Sequence, residues 1–280
     1  MKYAFVLLLF AVAAGSALSE GGRELATQPQ PSGIHGSVVV YAAASLTQAF
    51  TVIGDEFMKL HPGTKVLLNF AGSQQLAQQL ALGASADVFA SADSTQMKRA
   101  EDQGRIAQGA PRIFAHNRLI VVVARDPTVP VRGLADLARR GLKIVLAAQP
   151  VPVGRYSRIF LEKAAADPAY GAAFRDAVTA NTVSLEENVR AVLNKVILGE
   201  ADAGIVYSSD LSAKSASKVS TMQIPDALNT IASYPIATVA NSANPRAAAA
   251  FVDLVLSADG QKVLADYGFV PAHAAGIAAR

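Results

Sequence analysis

The chain has 280 residues, 25 of them basic and 22 acidic, for a formal net charge of +3, and it has no cysteine. With 51% hydrophobic and 17% charged residues it has the makeup of a globular protein, not of a disordered or fibrous one. So small a charge, with no basic run and no aromatic-basic cluster, speaks against a nucleic-acid partner. The missing thiols remove disulfides, zinc-thiolate sites and a lipid-modified N-terminal cysteine together.

Lys2, the almost wholly apolar stretch 3–14 and the small residues 15–19 (GSALS) predict a secretory signal over 1–19. The apolar run is shorter than the ~20 residues a bilayer span requires, which favours export with cleavage over anchoring. Cleavage after Ala17 and after Ser19 both fit. Residues 20–36, rich in Gly, Pro and Gln, read as a flexible leader. An exported protein without an anchor suits a bacterial periplasm.

From Val38 short apolar runs alternate with segments of helical period, an α/β pattern with parallel strands. A strand over 38–44 (VVVYAAA) leads through Ser45 into a helix from Leu46 to about Leu60. Leu46, Ala49, Phe50, Ile53 and Phe57 share one face of it, and His61-Pro62-Gly63 stops it. A strand over 66–70 (VLLNF) runs through Ala71 and Gly72 into Ser73 and a helix over 74–82. A short strand at 87–90 and a helix at 94–102 complete a first lobe, assigned to 37–118. The apolar run 117–125 (NRLIVVVAR) opens a second lobe, assigned to 119–239. That lobe holds strands at 143–148 and 204–207, a helix after Gly154, a helix over 186–198, and a strand at 233–239. A last helix over 245–267 lies in 240–280, assigned back to the first lobe. Two passages between lobes suit a hinged pair with a ligand between them; one larger sheet fits the periodicity as well.

Ser45 and Ser73 would each lie at the carboxyl end of a parallel strand and cap a helix whose first amides lack partners. Two such helix starts can hold an anion without lysine or arginine. Ordinary capping explains either serine alone, and Ser45 with Gln48 also fits a capping box. Val151-Pro152-Val153-Gly154 leads from a strand into a helix, so the amides after Pro152 can face a cleft. Glu186 to Arg190 opens another helix, its acidic residues suited to the first turn. Tyr207, at the end of the strand GIVY, can project its hydroxyl into the same gap. Each of the last three is also an ordinary structural feature when taken alone.

Six blocks together resemble the periplasmic molybdate-binding proteins of ABC transporters: YAAASLTQAF (41–50), NFAGSQQLAQQL (69–80), ADVFASAD (86–93), VPVGRY (151–156), EENVR (186–190) and GEADAGIVYSSD (199–210). The blocks keep the family's order and spacing from about Val38 to Phe269. The resemblance implies a two-lobed periplasmic binding protein fold of type II, each lobe a mainly parallel sheet flanked by helices, the lobes joined by two hinge strands. It further implies a monomer that carries molybdate or tungstate, with no catalytic residue, no cofactor and no bare metal cation, to permease subunits at the membrane. Carried over by position, the ligand contacts are the Ser45 and Ser73 hydroxyls, the Val153 and Val189 amides, and the Tyr207 hydroxyl. The family often has a small residue after the second serine, where this chain has Gln74.

A fully ionised tetrahedral dianion offers only acceptors, and all five of these groups can donate. A protonated phosphate would need an acceptor in the pocket, and Glu187 is the nearest candidate, so the molybdate reading requires it to point outward. An inward Glu187 would point to a protonated oxyanion or to a carboxylate ligand on the oxyanion's metal. Arg155 and Arg190 read as solvated helix-surface residues, with long-range steering of anions as the alternative. Other exported receptors, for sulfate, phosphate or ferric iron, remain open. Adjacent tyrosines of the kind used for iron are absent, and no DNA-binding helix pair precedes the lobes. For an enzyme, Gly-x-Ser-x-Gly, P-loop and dinucleotide fingerprints are all missing. His35, His61, His116 and His273 are scattered, and Asp87 and Asp93 fit turn or capping roles better than metal ligation.

Overall fold

The computed structural model describes residues 33–272; the predicted signal, most of the predicted leader and His273 lie outside them. The last residues of the assigned leader belong to the fold, where Gly36 opens the first strand. The Gly36 amide donates to the Gly63 carbonyl at 3.2 Å, and Asn244 donates to the His35 carbonyl at 2.7 Å.

In chain order the first strands and helices are β1 (Gly36–Ala43), α1 (Thr47–Leu60), β2 (Thr64–Ala71), α2 (Ser73–Ala81), β3 (Val88–Ala90), α3 (Ser94–Asp102) and β4 (Arg112–Asn117). There follow β5 (Leu119–Ala124), β6 (Ile144–Ala147), α4 (Pro152–Ala166), α5 (Gly171–Ala180), β7 (Thr182–Glu186), α6 (Val189–Ile197), β8 (Ala203–Tyr207), α7 (Ala213–Ala216) and β9 (Val219–Gln223). The last are β10 (Ala232–Thr238), α8 (Pro245–Leu256), α9 (Ala258–Asp266) and β11 (Val270–Pro271).

These strands form two sheets, in the orders β11-β4-β10-β3-β1-β2 and β7-β6-β8-β5-β9. In the first, β1 pairs in parallel with β2 and β3, while β10 runs antiparallel to β3 and β4. In the second, β6 is parallel to β7 and β8, and β5 is antiparallel to β8 and β9. Both sheets are therefore mixed, which corrects the expectation of mainly parallel ones. The chain enters and leaves the second sheet without a helical crossover, and a strand entered that way runs against its neighbours.

The passages between sheets lie at Arg118, between β4 and β5, and at 224–231, between β9 and β10. The boundary read at 239 is thus too late: β10 belongs to the first sheet, where Tyr234 faces Ala115 and Ala237 faces Phe89. The apolar run 117–125 likewise conceals the first passage, because strand period continues on both sides of Arg118. The last helix, read as continuous, breaks at Ser257, whose hydroxyl accepts from the Gly260 amide.

The first core forms as the spacing predicts. Phe50 and Phe57 of α1 are fully buried and meet Phe251 of α8 edge-on, with ring centres 5.9 and 5.5 Å apart. Every residue of β5 is buried, as a central strand covered on both faces requires. Gly154 lets α4 start hard against β6: a Cβ there would lie 2.1 Å from the Ala148 carbonyl oxygen and 2.4 Å from that of Ala147. This close approach sets where the start of α4 sits.

Candidate ligand site

Ser45, Ser73, Val153, Val189 and Tyr207, far apart in sequence, line one small cavity between the sheets. Ala43, Ala44, Gly72, Ala92, Val151, Pro152 and Asn188 complete the wall. The cavity is small and leaves no space for a hydration shell around a guest. Apart from the Tyr207 phenol, no lining side chain among the described residues is ionisable.

The serines reach the cavity by a different local geometry from the one predicted. Ser45 sits inside a 3-10 turn (Ala44–Leu46) that precedes α1, and it caps nothing. Its hydroxyl lies 3.0 Å from that of Tyr234. Ser73 is the first residue of α2, and Gly72 is the N-cap; the Gly72 amide donates to the Gln75 side chain at 3.0 Å. The Ser73 hydroxyl instead accepts from the Ala92 amide at 3.0 Å. Small residues before each serine let the helix start close to the strand end, and the serine is carried one step into the helix.

On the other side, Val153 lies in the first turn of α4 and Val189 begins α6. Neither backbone amide has a hydrogen-bond acceptor among the described residues. Asn188, not an acidic residue, caps α6 and accepts from the Ala191 amide at 3.0 Å. The helix predicted from Glu186 therefore starts later, because residues 182–186 are committed to β7. Tyr207 is 1% exposed, and its hydroxyl has no partner among the described residues. Burial pushes its pKa well above the usual 10, so it keeps its proton at neutral pH. A buried donor without an acceptor costs free energy that a bound acceptor would recover.

A profile of the family described as bacterial extracellular solute-binding protein matches residues 38–270. The chain belongs to that family. Its relatives include the molybdate-binding protein ModA of Mycobacterium tuberculosis strain H37Rv, 42% identical over 83% of this chain and 84% of the relative. ModA of Escherichia coli K12 is 32% identical over 95% of this chain and 96% of its own length. Among solved structures, the Azotobacter vinelandii periplasmic molybdate-binding protein superposes with a TM-score of 0.71 at 20% identity, over 83% of this chain and 98% of that one. The sulfate-binding protein SubI of M. tuberculosis gives 0.73 at 20% identity, over 85% and 88%. At that identity both show the shared fold, the two-lobed architecture of periplasmic binding proteins, and no more.

In this solute-binding protein the two lobes are latched together around the cavity. The Arg155 guanidinium of α4 reaches the buried Asp93 carboxylate of the first lobe at 3.1 Å, and Gln96 donates to the Pro150 carbonyl at 3.2 Å. Arg190 of α6 donates to the Ala44 carbonyl and the Gln48 side chain, each at 3.3 Å. The reading of both arginines as solvated surface residues is therefore corrected: each is a cross-lobe contact, visible only once the lobes meet. Gln74 donates to the Glu187 carbonyl at 2.8 Å and Gln75 to the Glu187 carboxylate at 3.0 Å. Glu187 is exposed and absent from the cavity wall.

Of the residues weighed for catalysis, His116, Asp87 and Asp93 are occupied elsewhere. His116 bonds Ser233, and neither site serine bonds a histidine. Asp87 accepts from the Val39 amide and the Ser242 hydroxyl, and Asp93 caps α3. Among the described residues no group of His, Cys, Asp or Glu is placed to hold a metal ion. Sequence reasoning missed Tyr234, Asn117 and Asp210 near the site. The one available signal was Asn117, a polar residue opening an apolar strand run.

Proposed function

We propose that this protein is an exported receptor that captures molybdate, and tungstate as well, between its lobes and delivers it to the permease subunits of an ABC transporter in the bacterial envelope. The observation that carries the reading is a small cavity walled by hydroxyls and unpartnered amides with no carboxylate. Such a wall suits an anion that only accepts hydrogen bonds. Ser45, Ser73, the Val153 and Val189 amides and Tyr207 would hold its oxygens, and the first turns of α2, α4 and α6 would add favourable dipoles. The outward position of Glu187 supports a fully ionised guest over a protonated one. The named molybdate-binding relatives at 42% and 32% identity support the same choice. Binding energy would favour the closed arrangement, since donors from both lobes meet one ligand only there.

Titration calorimetry of the purified protein with molybdate, tungstate, sulfate and phosphate tests this. One-to-one heat with molybdate and tungstate alone is expected. Silence with both, or sulfate bound as tightly, would overturn the assignment.

A further inference from the structure

Behind the cavity wall lies a buried chain of hydrogen bonds whose direction can be worked out. Asn117, the last residue of β4, accepts at Oδ1 from the Arg118 backbone amide at 3.0 Å. An amide N–H can only donate, so this bond fixes which end of the Asn117 side chain is oxygen. The Nδ2 end then donates to the Ser209 hydroxyl at 2.7 Å and to the Tyr234 hydroxyl at 3.3 Å. Tyr234 is fully buried, and burial raises its pKa well above 10, so it retains its proton. Having accepted from Asn117, Tyr234 has one acceptor within reach for that proton among the described residues, Ser45 Oγ at 3.0 Å. Ser45 therefore accepts from Tyr234, and its own proton is left for the cavity. Tyr234 also packs edge-on to Tyr207, ring centres 5.8 Å apart, so it backs two of the cavity's hydroxyls.

We infer that Asn117 and Tyr234 are positioning residues that hold the Ser45 hydroxyl as an obligate donor and so tune the site to fully ionised oxyanions against protonated ones of equal charge. The inference rests on the oxyanion-receptor reading above. The relay starts at Arg118, the passage between lobes, so the polarity of a ligand contact is set beside the hinge. Ser73 reaches the same state by a shorter route, since its hydroxyl accepts directly from the Ala92 amide.

The test is calorimetry with molybdate and with phosphate at pH 8, where phosphate is a dianion that still carries a proton. Wild type, Tyr234→Phe and Asn117→Asp are compared. Without the Tyr234 hydroxyl, Ser45 is free to accept. Tyr234→Phe should lose about tenfold in molybdate affinity, the low end for a hydrogen bond to a charged group, and gain in phosphate affinity, so the molybdate-to-phosphate ratio collapses. In Asn117→Asp the ionised carboxylate can only accept, which turns the Tyr234 proton away from Ser45 and makes Ser45 donate to Tyr234. Molybdate binding should fall tenfold or more at pH 8 and recover towards pH 6 as the introduced acid gains a proton. Wild type should show no such recovery. Folded variants with the wild-type ratio and pH profile would overturn the relay, as would an equal loss for both anions. Should Asn117→Asp fail to fold, Tyr234→Phe, which removes one oxygen, decides alone. A wild type that binds sulfate and not molybdate would overturn the molybdate reading, and the relay would be judged by the sulfate-to-phosphate ratio of the same variants.

Discussion

The two halves of the cavity are built on opposite principles. On the first lobe the hydroxyls are already bonded within the protein: Ser45 to Tyr234 and Ser73 to the Ala92 amide. On the second lobe the donors have no partner among the described residues: the Val153 and Val189 amides and the buried Tyr207 hydroxyl. The first half is pre-oriented whether or not a ligand is present. The second carries unsatisfied donors, and a ligand would recover their cost on closure. The first half also depends on side chains and the second largely on backbone, so substitutions should affect them unequally.

The largest effect is expected where the halves touch. A Cβ at Gly72 would lie 2.5 Å from the Gln74 side-chain amide, which can swing aside, and 2.5 Å from the Glu187 carbonyl oxygen across the cleft, a backbone atom that cannot. Gly72 has an ordinary extended backbone, so Gly72→Ala should leave the melting temperature of the unliganded protein nearly unchanged. It should weaken molybdate binding by about 3 kcal/mol, the upper end for overpacking. Calorimetry beside a thermal melt checks this, and unaltered affinity would show that closure is not needed for binding.

Side-chain dependence comes next. Ser45→Ala and Ser73→Ala should each cost ~1.5 to 3 kcal/mol of oxyanion binding, the range for hydrogen bonds to a charged group. Val189→Ala keeps its amide; it should bind within about threefold of wild type while losing ~2 kcal/mol of stability to the cavity it leaves. If Val189→Ala weakens binding as much as the serine variants do, the contrast between the halves fails.

Tyr207→Phe separates pre-bonded from unpaired donors. It should weaken binding by ~1.5 kcal/mol or more, yet leave the unliganded protein as stable as wild type or more so, because the hydroxyl removed had no partner. Ser45→Ala should instead lower unliganded stability by ~1 kcal/mol, since Tyr234 loses an acceptor. Equal unliganded melts for the two would break the comparison.

The smallest effect concerns pH. Asp210 is fully buried beneath Tyr207, whose amide donates to it at 2.9 Å, and burial pushes its pKa up to about 6 despite Arg190 at 3.6 Å. The folded protein thus takes up a proton at a higher pH than the unfolded chain, whose carboxyl titrates near 3.8. Stability from this group rises as pH falls from about 6 towards 4. Denaturant melts at pH 7.5 and 5 should show the wild type gaining roughly 1 kcal/mol on Asp210→Asn at the lower pH. A constant difference would mean that Asp210 is not raised.

Much of the site was legible because each contact sits at a strand-to-helix junction, and such junctions are local. Small residues before a serine, proline at a helix start and a tyrosine ending an apolar strand all mark places where a chain turns at the end of a sheet. The details of capping were not legible. Ser45 and Ser73 look like caps by composition, but the 3-10 turn and Gly72 take that role, since a one-residue shift in a helix start leaves no trace in the pattern. β4, β7, β9 and α5 also escaped. β7 and β9 are short and partly exposed, and β4 merges by strand period with β5 across Arg118.

The sequence by itself determined the alternating α/β elements, the buried faces of α1 and β5, and the strand-to-helix junctions at Ser45, Ser73, Pro152 and Tyr207, while the choice of Val153 and Val189 came from the family resemblance. The elements and junctions follow from periodicity and junction chemistry within a few residues of each position. Only the tertiary structure decided that both sheets are mixed, that β10 returns to the first sheet, and that Arg155 and Arg190 reach across to the other lobe. It also decided which hydroxyls are already bonded. Ser45 and Tyr234 are 189 positions apart, and nothing local to either foretells a hydrogen bond made when two distant strands come to share one sheet.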